Sequence, residues 1–239
     1  MKIALIGYGK MGHAIEQAAR QRGHEIVLCI TSANRNEMTP KNIANADVAI
    51  EFTRPESAKE NVLECLQAGT PVVCGTTGWN EQVAEAKEAA ERHATSFLQA
   101  SNFSVGVNLF FEVNKLLAKL MNGYPEYNVS IEETHHTQKK DAPSGTAITL
   151  ATQVADNMER KTGWELDGTG EDPTINMIAH RVEGVPGTHN VKYSSPIDNI
   201  EIIHTAHNRD GFALGAVLAA EYIADKKGVF TMQDVLGIR

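Results

Sequence analysis

The sequence predicts an α/β protein in two parts: a doubly wound parallel-sheet domain over residues 1–102 and a mixed α/β domain over 103–207. Three observations carry that expectation. Short apolar runs alternate with helical stretches over the first hundred residues, as strands buried on both faces by crossover helices do. The first run leads straight into a glycine-rich turn at Gly7. From Ala100 onward the alternation breaks, and strands of period-two patterning follow. The final stretch, about 208–239, is expected to return to the first domain.

Residues 2–6 form the first buried strand, followed by Gly7, Tyr8, Gly9, Lys10, Met11 and Gly12 and then an alanine-rich helix to about Arg22. This is G-x-G-x-x-G between a strand and a helix. Its first glycine allows the tight turn, its second lets backbone approach a pyrophosphate, and its third lets the helix pack closely. A Rossmann-type dinucleotide site is therefore expected. Residues 25–30 read as the second parallel strand. An acid at the end of that strand usually holds the ribose hydroxyls of NAD. Here Thr31, Ser32, Ala33, Asn34 and Arg35 follow, with no acid until Glu37. Hydroxyls and an arginine suit a 2′-phosphate better, which favours NADPH, or use of both nucleotides, over strict NADH.

A third strand over 47–53 runs into Arg54 and Pro55, and a helix over 56–68 shows Ala58, Val62 and Leu66 on one side. A strand within 70–79 ends in Gly75, Thr76, Thr77 and Gly78, followed by a helix over 81–93 and a strand over 95–99. Ligands of such sheets sit beyond the carboxyl ends of the strands. That places Phe52, Thr53, Gly75, Thr76 and Thr77 at the expected cofactor.

In the second part, a helix runs to about Met121, and residues 128–133 alternate as a half-buried strand that delivers Thr134 to Lys140 to its end. There His135, His136, Lys139, Lys140 and Asp141 run into Pro143, Ser144, Gly145 and Thr146. Ser144 is a good N-cap, and the backbone N–H groups of Gly145 and Thr146 together with the positive end of the helix dipole make an anion site. The adjacent lysine and histidines add charge and a proton donor. Such a segment can hold a carboxylate or phosphate and move a proton beside it. Ser-Gly-Thr helix starts are also ordinary structural devices, and paired histidines often lie on surface loops. A metal held by His135 and His136 is not expected, because neighbours on an extended chain point apart.

Lys140 should point away from Lys139 along an extended segment and is read as a surface residue. Ile148, Ala151, Val154, Ala155 and Met158 make a core-facing helical stripe. Residues 162–174 are expected to be an exposed loop, and 174–182, 187–194 and 200–206 to be strands. Several strands open on one face would need covering, most simply by another subunit. A helix over 212–226 and a short piece over 229–236 complete the chain.

Composition removes whole classes of function. A hydrophobic content of 42% and a charged content of 22% are those of an ordinary globular protein. A formal net charge of −8 argues against nucleic-acid or anionic-membrane binding. No apolar run approaches the roughly 20 residues of a membrane span, and strand residues begin at Lys2 with no signal peptide before them. The odd set Cys29, Cys65 and Cys74 lacks metal spacing and reads as reduced core thiols in a cytoplasmic protein.

With both ends in view, the chain resembles the 4-hydroxy-tetrahydrodipicolinate reductase (dihydrodipicolinate reductase) family over nearly its whole length. The likeness rests on the N-terminal glycine loop, D-V-A-I-E-F-T-R-P, G-T-T-G, S-N-F-S-V-G-V-N and, above all, H-H-T-Q-K-K-D-A-P-S-G-T-A. The resemblance implies a Rossmann-type cofactor domain and a second domain that binds substrate and assembles a homotetramer. It implies His135 as an acid/base group, Lys139 as a proton donor, and His136, Gly145 and Thr146 as contacts to substrate carboxylates, beside Ser144. Residues Gly7 to Gly12, Gly75 to Thr77, and Ala100, Ser101, Asn102 and Phe103 would line NADPH or NADH. The implied reaction converts a cyclic 4-hydroxy imine dicarboxylate to tetrahydrodipicolinate, with loss of water and hydride delivery to ring C4. One departure touches the cofactor: many members carry an acid then an arginine after the second strand, where this chain has Thr31. Two other readings fit the residue types, a Rossmann-type reductase of another small imino or oxo acid and a nucleotide-sensing module without catalysis.

Overall fold

The computed structural model describes residues 1–208 and 210–238. It divides into two compact units, Met1–Val105 with Asp210–Arg239, and Gly106–Arg209.

Among the described residues, the first unit holds a six-stranded parallel sheet. Strands β1 (Lys2–Ile6), β2 (Glu25–Ile30), β3 (Val48–Glu51), β4 (Val72–Cys74), β5 (Ser96–Gln99) and β11 (Gly228–Phe230) lie in the order β11-β5-β4-β3-β1-β2. Side chains alternate between two cores. Ile3, Leu5, Val48, Ile50, Val73 and Leu98 face helices α1 (Lys10–Gln21) and α7 (Asp210–Ile223). Ala4, Ile6, Ala49, Val72, Cys74 and Phe97 face α2 (Pro40–Ile43), α3 (Pro55–Gln67) and α4 (Val83–Arg92). Burial on both faces is why these strands read as continuous apolar runs. The chain goes from β1 outward to β2 and then to β3 on the other side, so the strand order reverses at β1 and β3. Loops opening from those two strands leave the crevice where doubly wound sheets take ligands.

The second unit has a mixed five-stranded sheet, ordered β10-β9-β6-β8-β7. Its strands are β6 (Asn128–His135), β7 (Gly163–Leu166), β8 (Thr174–Arg181), β9 (Gly187–Ser194) and β10 (Asn199–Ala206). One face packs on α5 (Val105–Met121) and α6 (Gly145–Asn157), around Phe110, Phe111, Val129, Ile131, Leu150, Val154, Val191 and Tyr193. The other face is half-buried to exposed along β6, β9 and β10.

The structure corrects four expectations. Residues 163–166 are a strand, not loop: β7 pairs in parallel with β8, satisfying that edge's backbone groups. The turn-forming residues act only afterwards, from Asp167 at φ 54°. The loop that follows is anchored by the buried Lys161 ammonium, which donates to Asp172 Oδ1 (2.7 Å), Thr174 O (2.7 Å) and Asn128 Oδ1 (3.0 Å). Helix α7 stops at Ile223 rather than 226, where the Lys226 ammonium reaches back to Tyr222 O at 2.6 Å. Between β2 and β3, where no element was expected, the short α2 forms with Thr39 as its N-cap. Finally, residues 136–139 form a turn, not an extended segment, with Lys139 N–H donating to His136 O at 3.1 Å. Lys140 is exposed there, for that reason rather than through strand alternation.

Candidate active site

Two chemically distinct places emerge, one in each unit. In the first, a cleft of about 1010 Å³ opens at the carboxyl ends of β1, β2 and β3. Gly7, Tyr8, Gly9, Phe52 and Thr53 line it, as expected from sequence, together with Thr31, Ser32, Arg35, Arg54 and Asn61. The loops are close because Gly7 has no side chain. It sits at φ +96°, and a Cβ there would lie 2.1 Å from Phe52 O. Gly12 lets α1 approach the turn, since its Cβ would meet Gly7 O at 2.5 Å. Gly9, in contrast, faces open space and is the N-cap of α1, which has neither a side-chain cap nor an acid in its first turn. Unopposed N–H groups beside a bare backbone fit the phosphates of a dinucleotide.

The remaining expected cofactor residues do not line this cleft. Lys10 and Met11 lie in the first turn of α1, Lys10 exposed and Met11 packed on the core. Gly75 packs against the Phe52 ring, where a Cβ would fall 2.1 Å from Cζ. Thr76 Oγ1 accepts the Thr53 N–H at 2.8 Å, and Thr77 is exposed beside it. The Ala100 N–H donates to Cys74 O at 3.1 Å, Ser101 is exposed, and the Asn102 side chain accepts the Ser104 N–H at 2.9 Å. Phe103 is a core residue, 5.6 Å from Phe52 between ring centroids. These residues brace the cleft loops.

Behind the loops sits a residue that sequence reasoning missed. Glu51 is fully buried at the end of β3 and accepts from Thr53 Oγ1, from Asn61 Nδ2 at 3.4 Å and from Cys74 Sγ at 3.0 Å. Burial and then this carboxylate push the Cys74 thiol far above its ordinary range, so it stays protonated as donor. Arg35, read as a candidate for a 2′-phosphate, is held at both nitrogens by Glu64, at 2.8 and 3.1 Å.

In the second unit the end of β6 gathers titratable side chains around His135, the expected acid/base group. Alternation along β6 turns Val129, Ile131, Glu133 and His135 to the buried side. An acid and a histidine thus occupy core-facing positions. Glu133 Oε1 accepts the Ser144 N–H (3.0 Å) and Arg181 Nη2 (3.1 Å); Oε2 faces His135 Nδ1 (3.4 Å) and His189 Nε2 (3.6 Å). His189 Nε2 also shares a hydrogen bond with Ser144 Oγ at 3.2 Å, and the two imidazoles stand edge to face, 5.0 Å apart. Burial would raise the Glu133 carboxyl, but the facing His189 imidazole and hydrogen bonding to Ser144 outweigh it and hold the group at about 2. Burial pushes His135 down to about 4, against the pull of Glu133 and helped by His189, Lys139 and Arg181. At neutral pH the imidazole is therefore uncharged.

Ser144 caps α6, its Oγ accepting the Ala147 N–H at 3.2 Å. Gly145 is exposed and Thr146 half-buried in a first turn without acids. Lys139 Nζ pairs with the exposed Asp141 carboxylate at 2.8 Å. His136 is half-buried, and its Nδ1 has no hydrogen-bond partner among the described residues. The structure thus gathers His135 and Ser144 directly, with Lys139 on the loop before α6 and Gly145 at the first position of that helix. It adds Glu133, Arg181 and His189, which sequence reasoning missed. The visible signal for two of them was a charged or ring side chain on the apolar phase of a strand, Glu133 in β6 and His189 in β9. One donor atom from each of Glu133, His135 and His189 lies within 4.8 Å of the others, a spacing that can take a cation. The Arg181 guanidinium already answers that carboxylate's charge.

Comparison with known proteins covers both units. The family described as dihydrodipicolinate reductase, N-terminus, matches residues 1–103, and dihydrodipicolinate reductase, C-terminus, matches 106–236. The chain is 51% identical to a 4-hydroxy-tetrahydrodipicolinate reductase of Christiangramia forsetii, over 99% of this chain and 98% of that one. With the namesake of Chromobacterium violaceum the identity is 42%, over 81% and 74%. In fold it resembles a dipicolinate-bound dihydrodipicolinate reductase from Paenisporosarcina sp. TG-14, with a TM-score of 0.81 at 22% identity over 98% of each chain. A more distant likeness joins it to an amine dehydrogenase from Mycobacterium smegmatis, at a TM-score of 0.61 and 11% identity. Matched by both halves of one family and by relatives along its full length, this chain belongs to the dihydrodipicolinate reductases.

Proposed function

We propose that this protein reduces 4-hydroxy-tetrahydrodipicolinate to tetrahydrodipicolinate with NADPH or NADH, releasing water, as a step of diaminopimelate and lysine synthesis. The observation that carries the reading is the full-length relationship to named reductases, at 51% identity. The chemistry balances: hydroxide from ring C4 and a proton from the neighbouring ring carbon leave as water, hydride arrives at C4, and the enamine anion so formed takes one proton back from an acid. Hydride is what the nicotinamide supplies when bound. The glycine turn and the first turn of α1 hold its phosphates, and the cleft residues Tyr8, Phe52 and Thr53 orient it.

The chain's own residues supply the rest. Gly145 and Thr146, at the start of α6, together with His136, bind the substrate carboxylates, which need fixed N–H donors rather than long flexible side chains. Lys139 is the proton donor. The neutral state of buried His135 supports this assignment, because an uncharged imidazole is poised to accept or relay a proton, not to give one first.

For the nucleotide, Thr31, Ser32 and Arg35 favour NADPH, but only slightly, since a 2′-phosphate must compete with Glu64 for Arg35. The partly exposed outer face of the second sheet, with Ile203 at 59% exposure, supports assembly into a homotetramer. Buried Cys65 and Cys74 fit a cytoplasmic protein, and no helix of the described residues is long and apolar enough to cross a membrane.

The test is to mix protein, NADPH and enzymatically prepared 4-hydroxy-tetrahydrodipicolinate and follow cofactor absorbance. Rapid oxidation with this substrate, and none with other imino or oxo acids, is the expected result. Turnover confined to another imino acid would favour the general reductase reading instead.

A further inference from the structure

We infer that Glu133 is a positioning residue that fixes the proton of the His135 imidazole on Nδ1 and locks that ring to the start of helix α6. The inference rests on the proposed role of His135 as a reacting group, and it adds a residue that this role does not by itself name.

Glu133 is 2% exposed, and its two oxygens point in different directions. Oε1 is committed to two donors, the Ser144 backbone N–H at 3.0 Å and Arg181 Nη2 at 3.1 Å. Arg181 also donates to Asp141 O at 2.6 Å, so one guanidinium ties Glu133 to the loop carrying Lys139 and Asp141. Oε2 is left for the two imidazoles, His135 Nδ1 at 3.4 Å and His189 Nε2 at 3.6 Å. A carboxylate can only accept, so the nearer ring nitrogen turns its N–H toward it, and the neutral ring carries its lone pair on Nε2. The charged or titratable groups around the carboxylate are then His135 from its own strand, Arg181 from β8, His189 from β9, and Lys139 with Asp141 from the loop before α6.

Space is arranged for the same ring orientation. A Cβ on Gly187, in β9, would lie 3.0 Å from His135 Nε2 and 3.1 Å from Cδ2. The imidazole therefore lies over a strand position that has no side chain. A single carboxylate thus connects the strand that carries the acid/base histidine to the N-cap of the helix proposed to grip substrate. At 3.4 Å the two atoms are not hydrogen-bonded, and neither has another hydrogen-bond partner among the described residues, so each is left to answer the other when the contact tightens around substrate.

Glu133→Gln separates the two jobs. Its amide oxygen can keep accepting from Ser144 and Arg181, while its NH₂ group now faces His135 Nδ1 and demands an acceptor there. The helix start is retained and the imidazole tautomer reverses. The expected result is kcat lower by about 10²-fold, the scale of misplaced acid/base catalysis. KM and affinity for pyridine-2,6-dicarboxylate should stay within about threefold, because the carboxylate grip is intact. Glu133→Ala should lose both kcat and analogue affinity.

Nitrogen NMR of ring-labelled protein supplies a readout independent of turnover. His135 should carry its proton on Nδ1 in the unaltered chain and on Nε2 in Glu133→Gln. An Nε2–H tautomer in the unaltered protein, or a Glu133→Gln variant with normal kcat and an unmoved proton, overturns the inference. A tautomer switch in a protein with no reductase activity would instead leave Glu133 as assigned and refute the proposed reaction.

Discussion

At the scale of single residues, the proposed chemistry divides labour between the Lys139 amine and an uncharged ring. Lys139 stands partly exposed beside Asp141, whereas His135 is 8% exposed and neutral until about pH 4. Lys139→Ala should lower kcat by about 10²–10⁴-fold, the usual worth of a general acid, with NADPH affinity unchanged; near-normal turnover would remove Lys139 from the mechanism. His135 also makes stability depend on pH. Its value falls from 6.5 unfolded to about 4 folded, so the unfolded chain binds more protons in that window. Stability is full above pH 6.5 and is lost as pH falls toward 4, by an amount on the order of 3 kcal/mol. Glu133, lowered from 4.5 to about 2, continues the loss below pH 4.5. Urea unfolding across this range should show the decline, and His135→Gln should flatten its upper part. The Arg35–Glu64 pair gives a further test. Glu64→Gln should free Arg35 and lower KM for NADPH several-fold while leaving that for NADH; equal changes would show that Arg35 does not meet the 2′-phosphate.

At the scale of elements, space rather than charge decides the cofactor cleft. Gly75→Ala would drive a methyl group into the Phe52 ring, 2.1 Å from Cζ, and displace the loop after β3. A fall in NADPH affinity of tenfold or more is expected by fluorescence titration, with KM for the dicarboxylate little changed; unaltered affinity would mean that Phe52 does not shape the site. Much of this architecture was legible in the sequence. The run 2–6, the glycine turn and the helix after it are strongly local, as are the apolar strands at 25–30 and 95–99. Strand β7 was not legible, because Gly163–Leu166 gains its order from the edge of β8 and has no pattern of its own. The buried Glu133 cluster was only half legible: the His-His-x-x-Lys run and the Ser144 cap are contiguous, but Arg181 and His189 arrive from β8 and β9. Such convergence is set by strand register, which short-range patterning does not encode. Glu51 hid in the same way, as an acid in an otherwise apolar strand.

At the scale of the whole molecule, the proposed reaction draws on both units, a cleft suited to a nucleotide in one and a buried Glu-His cluster beside a helix start in the other. The proposed tetramer predicts a mass of four chains by light scattering, and a monomer at micromolar concentration would refute that assembly. Activity should survive dialysis against a chelator, because Arg181 already neutralises the Glu133 carboxylate that lies with His135 and His189. The central claim is that the chain moves hydride from a nicotinamide to C4 of a cyclic dicarboxylate. Its most direct test uses NADPH deuterated at the transferring position, with the product's ring analysed by mass spectrometry and NMR. One deuterium at C4 for each cofactor oxidised is the predicted result; label absent from the product, or placed at another carbon, would contradict it.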